Sequence, residues 1–239
     1  MRADSVQEDG IINPMRGRVM FNKMSLAEQV QDALRKEITE GRVRPGQRVS
    51  MADYQSWNVS STPFRDAVRA LEIQGFLTVS PRKGVHVSPM NLRAFQEIFE
   101  VRLALECVAV ELATPLVPED KARAALETYE QMRPMVAQGD NDNMRANDAL
   151  VHDLAREHCG NRRLQRLLAE QMDLIRWAQN TIILEMPESY QFALPEHIDI
   201  VTAICARDPA AASHAMRIHL QNARSRHESW LKAHLEKQK

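Results

Sequence analysis

Apolar residues recur at every third or fourth position near the start of the chain, and the first such stripe begins directly after Ser25. This stripe covers residues 26–38 and stops at Gly41, so it predicts an amphipathic helix that starts at a serine cap. A second stripe covers residues 64–71. It follows a Ser-Thr-Pro segment at 61–63, where a capping residue and a proline at the first helical position mark a helix start.

Two shorter features complete this part of the chain. A turn rich in proline and glycine at 44–46 leads into a short helix predicted over 50–57. Beyond Gly75 the hydrophobic period changes to two, and the alternating residues 76–88 enclose a turn at 81–84. Three short helices followed by a β-hairpin are the element order of a winged helix-turn-helix.

In the rest of the chain the hydrophobic residues recur with helical spacing only. From residue 91 to 236 each periodic segment has helical spacing, and no strand pattern occurs. Prolines and glycines separate about six predicted helices, at 91–113, 118–137, 141–158, 162–184, 194–206 and 208–236. The predicted fold is therefore mainly α, with an N-terminal winged helix-turn-helix followed by an all-α helical bundle.

These patterns divide the chain into three segments. Residues 1–24 are polar, are interrupted by glycine and proline, and show no sustained period, so we expect a mobile tail there. The winged helix-turn-helix is predicted to cover residues 25–89. The helical domain is predicted to cover residues 90–239.

The 239-residue chain has an ordinary globular composition, with 44% hydrophobic and 26% charged residues. This excludes collagen-like, disulfide-scaffold and wholly disordered proteins. The net charge of −1 is unevenly distributed, because residues 1–90 carry 13 basic and 10 acidic side chains while the remainder carries 18 and 22. The mildly basic front part predicts an anionic partner for that part of the chain.

Cysteine usage and hydropathy indicate where the protein resides. The three cysteines show no CxxC spacing, so no disulfide framework is predicted and a reducing compartment is expected. No apolar run approaches the roughly 18 residues of a membrane span, and the N-terminus lacks the apolar core of a signal peptide. We therefore expect a cytoplasmic protein with no membrane partner.

The predicted helix at 62–75 occupies the position of a recognition helix, whose first turn contacts base edges in the major groove. Arg65 and Arg69 lie one helical turn apart, opposite the apolar stripe. The candidate DNA contacts lie at the start and on the polar face of this helix and on the hairpin turn: Ser60, Ser61, Thr62, Arg65, Arg69, Arg82, Lys83 and Gly84. A solvated arginine face and a plain turn are the alternative, but the complete element order and the basic turn favour contact with double-stranded DNA.

Ionisable residues also lie on apolar helix faces in the back half, where an unpaired charge is costly. Asp148 and His152 are four residues apart within one apolar stripe. His197 and His219 lie in the stripes of two later helices. Each histidine alone is typical of a core residue with satisfied hydrogen bonds. Three imidazoles and one carboxylate are also suited to a first-row divalent metal, provided that the three helices converge.

Arg102 is a second charged residue on an apolar face. Glu106 follows it one helical turn later, so an internal ion pair is the simplest interpretation.

Five segments of the front part carry a family resemblance: 26–30, 41–46, 59–68, 71–77 and 82–85. With these segments the front part resembles the GntR family of bacterial transcriptional regulators, and the all-helical remainder is similar to the FadR-type (FCD) effector domain. Two residues depart from the family pattern. Ser61 stands where the family usually has arginine, and Ala52 stands where many relatives have a charged residue. Both departures remove groups that commonly meet DNA.

The resemblance implies a metal site and an effector. FCD domains that bind metal use an Asp-x3-His pair on one helix and one histidine from each of two later helices. The matching residues are Asp148, His152, His197 and His219. Zn²⁺ is the first candidate, followed by Ni²⁺ or Mn²⁺. The resemblance also suggests that Arg102 holds the carboxylate of a small organic acid beside the metal, with Arg176 as a weaker candidate.

The predicted function is that of a ligand-responsive transcriptional regulator, not an enzyme. Because one recognition helix reads one half-site, we expect a homodimer on a near-palindromic operator. A metal-dependent hydrolase with a DNA-binding appendage is the main alternative, since a metal with open positions can activate water. The chain contains no HExxH or GxSxG motif to support it. A third interpretation is a weakened head that serves as an interaction module.

Overall fold

The structure is a computed structural model that describes residues 24–183, 186 and 189–237. The tail expected over residues 1–24 therefore lies, apart from Met24, outside the described residues. In the described part the chain forms a head of helices and a small sheet, followed by helices only. None of the described helices is long and apolar enough to span a bilayer.

The first helix of the head starts where the sequence predicts it. Ser25 and Glu28 form a capping box, in which the serine hydroxyl accepts from the backbone N–H of Glu28 and the glutamate accepts from that of Ser25. The elements of the head are α1 (Leu26–Thr39), β1 (Arg48–Val49), a 3-10 helix (Met51–Trp57), α2 (Ser61–Ile73), β2 (Leu77–Ser80) and β3 (Gly84–Val87).

The sheet of the head has one more strand than the predicted hairpin. Its order is β1-β3-β2, and both pairings are antiparallel. In β1, Arg48 pairs with His86 and Val49 pairs with Val85. The sequence did not indicate this strand because two residues are too short to display an alternating pattern.

The helical part consists of seven helices among the described residues. These are α3 (Leu92–Ala113), α4 (Glu119–Ala137), α5 (Asp142–Asn147), α6 (Leu150–His158), α7 (Arg162–Ile183), α8 (Ser189–Cys205) and α9 (Pro209–Lys237). The fold is therefore mainly α, with a winged helix-turn-helix preceding an all-α bundle, as predicted.

Two predicted helix boundaries were wrong. The helix expected over 141–158 is interrupted between α5 and α6, and a tyrosine from α4 stabilises the break. The hydroxyl of Tyr129 donates to the carbonyl of Asn147 and accepts from the backbone N–H of Val151. The helix expected over 194–206 begins five residues earlier, because Pro195 lies inside α8 instead of marking its start.

The head and the bundle share a hydrophobic cluster. The core of the head continues into Phe95 and Phe99 of α3 and Trp177 of α7. The rings of Phe76 and Trp177 lie 5.8 Å apart, and an ion pair of 3.5 Å joins Arg35 of α1 to Asp173 of α7. A second cluster forms the core of the bundle itself.

Candidate DNA-binding surface and metal centre

Helix α2 buries one side in the head and exposes the other. Phe64 and Leu71 are among its buried residues, whereas Arg65 and Arg69 are exposed. Ser60 is the N-cap residue, and its side chain makes no capping hydrogen bond. The N-terminal turn of α2 therefore presents free donors and a positive helix end, which suit a phosphate.

The turn between β2 and β3 forms a basic wing. Arg82 and Lys83 are exposed, and Gly84 has a φ of 86°, a left-handed conformation that favours glycine. Within the described residues, neither these two cations nor Arg65 and Arg69 form an ion pair with a carboxylate. Four uncompensated cations on α2 and the wing form a surface suited to a polyanion.

Three buried histidines from three helices converge in the bundle. His152 of α6, His197 of α8 and His219 of α9 each offer a ring nitrogen, and these atoms lie within 4.8 Å of one another. The Nε2 atoms of His197 and His219 are 3.3 Å apart. The convergence of three helices that the sequence left open is therefore present, and it places three imidazole nitrogens, a donor type suited to divalent metals, side by side.

Asp148, the fourth predicted ligand, is not part of this group, which among the described residues contains the three histidines alone. It follows the end of α5, at the break that Tyr129 stabilises, and it is half-buried. It lines the same cavity as His219. Asp148 lies in a two-residue turn between α5 and α6. Regular helical spacing therefore does not place its carboxylate beside His152.

Arg102 and Glu106 of α3 contact the cluster from one side. The expected ion pair is present, with 2.7 Å between Arg102 Nε and Glu106 Oε1. Glu106 also accepts a short hydrogen bond from Nδ1 of His152, and Arg102 Nη2 lies 3.2 Å from Nε2 of that ring. Burial opposes ionisation of Glu106, but the charge of Arg102 and the hydrogen bonds from His152 and Arg102 outweigh it and hold its pKa well below the usual range.

A second carboxylate orients His219 from the other side. Glu196 of α8 accepts from His219 Nδ1 at 2.8 Å and from Asn222 Nδ2 at 2.9 Å. Arg226 holds the same carboxylate with two hydrogen bonds of 2.9 and 3.1 Å. Burial opposes ionisation of Glu196, but the hydrogen bonds from His219 and Arg226 lower its pKa to about 2. The resulting anion fixes the His219 tautomer, which leaves the Nε2 lone pair facing the cluster.

The environment favours the unprotonated form of two of the histidines. Burial lowers the pKa of His197 well below that of a free imidazole, and a proton on His219 or His152 would lower it further by repulsion. Burial also lowers the pKa of His219, and its hydrogen bond to Glu196 only partly opposes this shift. Unprotonated imidazoles are the form that binds metal.

A small cavity adjoins the histidine cluster. Its volume is about 20 Å³, and it is lined by Asp148, Ser189, Tyr190, Ala193, His219, Ala223, Arg226 and His227. Arg176 lies elsewhere. It is exposed in a cleft between α1 and α7, 3.8 Å from Asp173.

Sequence reasoning missed two residues of this region. The sequence pattern did not indicate a role for Glu196, because its contacts are to α9, twenty-three or more positions away. His227 matched no ligand position, yet it is buried and lines the cavity two helical turns beyond His219. The eight-residue separation of His219 and His227 on α9 is a signal that could have placed them together.

Comparison with known proteins gives relatives of one functional type. The chain is 30% identical over 154 residues to the HTH-type transcriptional regulator YdhC of Bacillus subtilis, covering 63% of this chain and 68% of that protein. It is 25% identical over 199 residues to the HTH-type transcriptional repressor RspR of Escherichia coli, covering 81% and 85%.

Solved structures show the same fold. E. coli McbR/YncC matches with a TM-score of 0.67 at 20% identity, covering 84% of this chain and 96% of that one. A GntR family member from Pseudomonas syringae pv. tomato matches with a TM-score of 0.53 at 21% identity, covering 90% and 89%.

Two sequence families match adjacent parts of the chain and agree with the structural division. Residues 26–87 match the bacterial regulatory proteins of the gntR family, and residues 97–222, more than half of the chain, match the FCD domain. The first match covers the head with α2 and the wing, and the second covers the histidine cluster. The chain therefore belongs to the GntR family of bacterial helix-turn-helix transcriptional regulators, in the group whose helical part is an FCD domain.

Proposed function

We propose that this regulator binds a near-palindromic operator as a homodimer and responds to a small carboxylate bound near a divalent metal in the bundle. The observation that carries the proposal is the convergence of His152, His197 and His219, with ring nitrogens within 4.8 Å of one another. The exposed cations of α2 and the wing support the operator contact.

The donor set fits a divalent metal ion. The three imidazoles offer nitrogen ligands, and Asp148 lines the adjoining cavity, where it would supply a carboxylate oxygen. Glu106 and Glu196 each accept from the remaining nitrogen of a cluster histidine, the arrangement that orients metal-bound imidazoles. Zn²⁺ fits this nitrogen-rich set best, and Ni²⁺ or Mn²⁺ are the other candidates. When bound, the ion would offer open positions to the oxygens of a carboxylate.

Arg102 is the residue that we expect to hold the effector. Its side chain is only 2% exposed, and its Nη1 makes no hydrogen bond to any described residue. Its Nη2 donates to His152 Nε2 in the arrangement described, a bond that metal ligation by that nitrogen would replace. Two guanidinium nitrogens would then face the cluster, which is the geometry that binds a carboxylate bidentately.

The proposal is tested by the response of DNA binding to small carboxylates. A thermal-shift series of carboxylates, run with and without chelator, identifies an acid that stabilises only the metal-loaded protein. We then expect Arg102→Ala to retain the metal and to lose the effect of that acid on DNA affinity. Arg176→Ala is the matched control and should respond as the parent does. An unaltered response in Arg102→Ala would leave Arg102 as the partner of Glu106 alone.

An exposed apolar stripe on α3 supports the homodimer. Val101, Val108 and Leu112 of α3 and Leu116 just beyond it are between 40 and 57% exposed. They recur at helical spacing along α3, on a different side of the helix from the buried Arg102 and Glu106. Contiguous exposed apolar residues of this kind mark protein interfaces.

We therefore expect the protein to be dimeric at micromolar concentration and Val108→Glu to weaken association at least about 100-fold. The introduced carboxylate would be buried without a partner against the second copy. Sedimentation velocity measures the change, and Ile73→Glu, at an exposed apolar residue of the head, should remain dimeric. A dimeric Val108→Glu protein would assign the interface to another surface.

A further inference from the structure

The first strand of the head, β1, places an arginine beside the wing. Arg48 pairs with His86 of β3, and Val49 pairs with Val85. Val49 is 3% exposed and belongs to the core of the head. Because successive side chains of a strand point to opposite faces, Arg48 lies on the outer face of the sheet, where it is exposed.

The guanidinium of Arg48 lies beside the first residue of β3. Its Nε lies 3.8 Å from the position that a Cβ atom would take on Gly84. Gly84 directly follows the exposed Lys83, and it is two residues closer to the wing turn than His86, with which Arg48 pairs. The side chain of Arg48 therefore extends along the sheet toward the wing turn, and its positive charge adds to that of the basic residues there.

No carboxylate among the described residues forms an ion pair with Arg48. The charge of Arg48 does act on Asp53, but hydrogen bonds from Ser50 are the main reason why the pKa of Asp53 is lowered. Those bonds, of 2.8 Å from the hydroxyl and 2.9 Å from the backbone N–H, hold the Asp53 carboxylate at the start of the 3-10 helix. The guanidinium of Arg48 is therefore available to an external anion, and its planar fork matches two oxygens of one phosphate group.

We propose that Arg48 is a further DNA-contacting residue, which binds a backbone phosphate at the border of the groove that the wing enters. This inference rests on the operator contact of the proposed function, because that contact brings DNA to the wing. Arg48 lies behind the wing turn, at the base of the wing. When the turn enters a groove, a side chain at its base meets the phosphates that border the groove and not the base edges. The contact therefore adds affinity for any duplex and carries no sequence information.

The test measures DNA binding of full-length variants by fluorescence anisotropy. One duplex is selected by the parent protein from a random pool, and the other is an unrelated duplex of the same length. For Arg48→Ala we expect at least about 5-fold weaker binding to both duplexes, the effect of one net hydrogen bond to a charged group. Because fewer counterions are then released, the slope of log Kd against log salt should become shallower by about one for each head that binds DNA.

Three variants separate the charge of Arg48 from its packing. Arg48→Lys keeps the charge and should keep the salt slope of the parent. Arg48→Met keeps an aliphatic stem beside Gly84 without the charge, so it should lose affinity and slope as Arg48→Ala does. Arg42→Ala is the matched control and should bind both duplexes as the parent does, because Arg42 is exposed in the same head but forms ion pairs with Glu37, at 2.8 Å, and with Glu40.

The outcomes separate this inference from the proposed function. Parent-like affinity and slope in Arg48→Ala overturn the inference, as does a loss that Arg48→Met does not share, since Arg48 would then only pack against the wing. A loss confined to the selected duplex overturns it too, because Arg48 would then read bases. If the selection enriches no duplex, operator recognition in the proposed function fails, whereas the unrelated duplex at low salt still decides the role of Arg48.

Discussion

One divalent metal ion per chain is expected in the purified protein, and His219→Ala or His197→Ala should lose it. Each variant removes one of the three nitrogens that converge in the bundle and leaves too few ligands for a tight site. Chelation of the parent should lower its stability by about 4 kcal/mol if the free ion was present at about 1,000 times its dissociation constant. Elemental analysis and thermal unfolding measure the two effects.

Two control variants sharpen this expectation. His227→Ala should retain the metal, since His227 lies outside the three-histidine cluster. Glu196→Gln keeps the shape of the side chain but removes the charge that orients His219, so we expect metal affinity to fall by about 10- to 100-fold without abolishing binding. Full metal content in His219→Ala would contradict the ligand set.

The pH dependence of metal binding follows from the same residues. Protons compete with the metal for imidazole nitrogen, so affinity decreases as pH falls. Burial lowers the pKa of His197 and of His219, so this competition begins below the value of about 6.5 that holds for a free imidazole. A titration between pH 7.5 and 5 should therefore show little loss of affinity in its upper half.

For DNA binding, Arg65→Ala is expected to reduce the preference for the cognate operator by about 1–3 kcal/mol, a factor of about 5 to 150. Arg65 lies exposed in the first helical turns of α2, where a recognition helix meets base edges. Lys83→Ala, on the wing, should weaken operator and random DNA about equally, because a phosphate contact carries no sequence information.

Fluorescence anisotropy with operator and scrambled duplexes at several salt concentrations distinguishes the two roles. Arg217→Ala, exposed on α9 in the bundle, is the matched control and should bind both duplexes as the parent does. If Arg65→Ala discriminates between the duplexes as well as the parent does, α2 does not read bases through this residue.

Short-range sequence patterns predicted the helices, the cap and the hairpin that a few consecutive residues determine. The stripes of α1 and α2, the cap at Ser25 and the two-residue period of the wing each reside in a few consecutive residues. The three histidines were recognisable because a polar residue within an apolar stripe is unusual. The break before α6 was not recognisable from the sequence. The Tyr129 hydroxyl that stabilises this break comes from another helix.

The carboxylates that bind the histidines could not be predicted from the sequence for a related reason. Glu196 and Glu106 contact histidines twenty-three and forty-six positions away. Their roles depend on how α3, α8 and α9 pack, which no short-range pattern encodes.

The hydrophobic cluster shared by the head and the bundle limits how freely this protein can be recombined. Phe76 of the head packs against Trp177 of α7, and Phe95 and Phe99 lie in the same cluster. A chimera that joins this bundle to a foreign head must therefore supply an aromatic residue in place of Phe76, or it leaves Trp177 exposed. Engineers of biosensors who exchange heads at the domain boundary should transplant this contact together with the recognition helix.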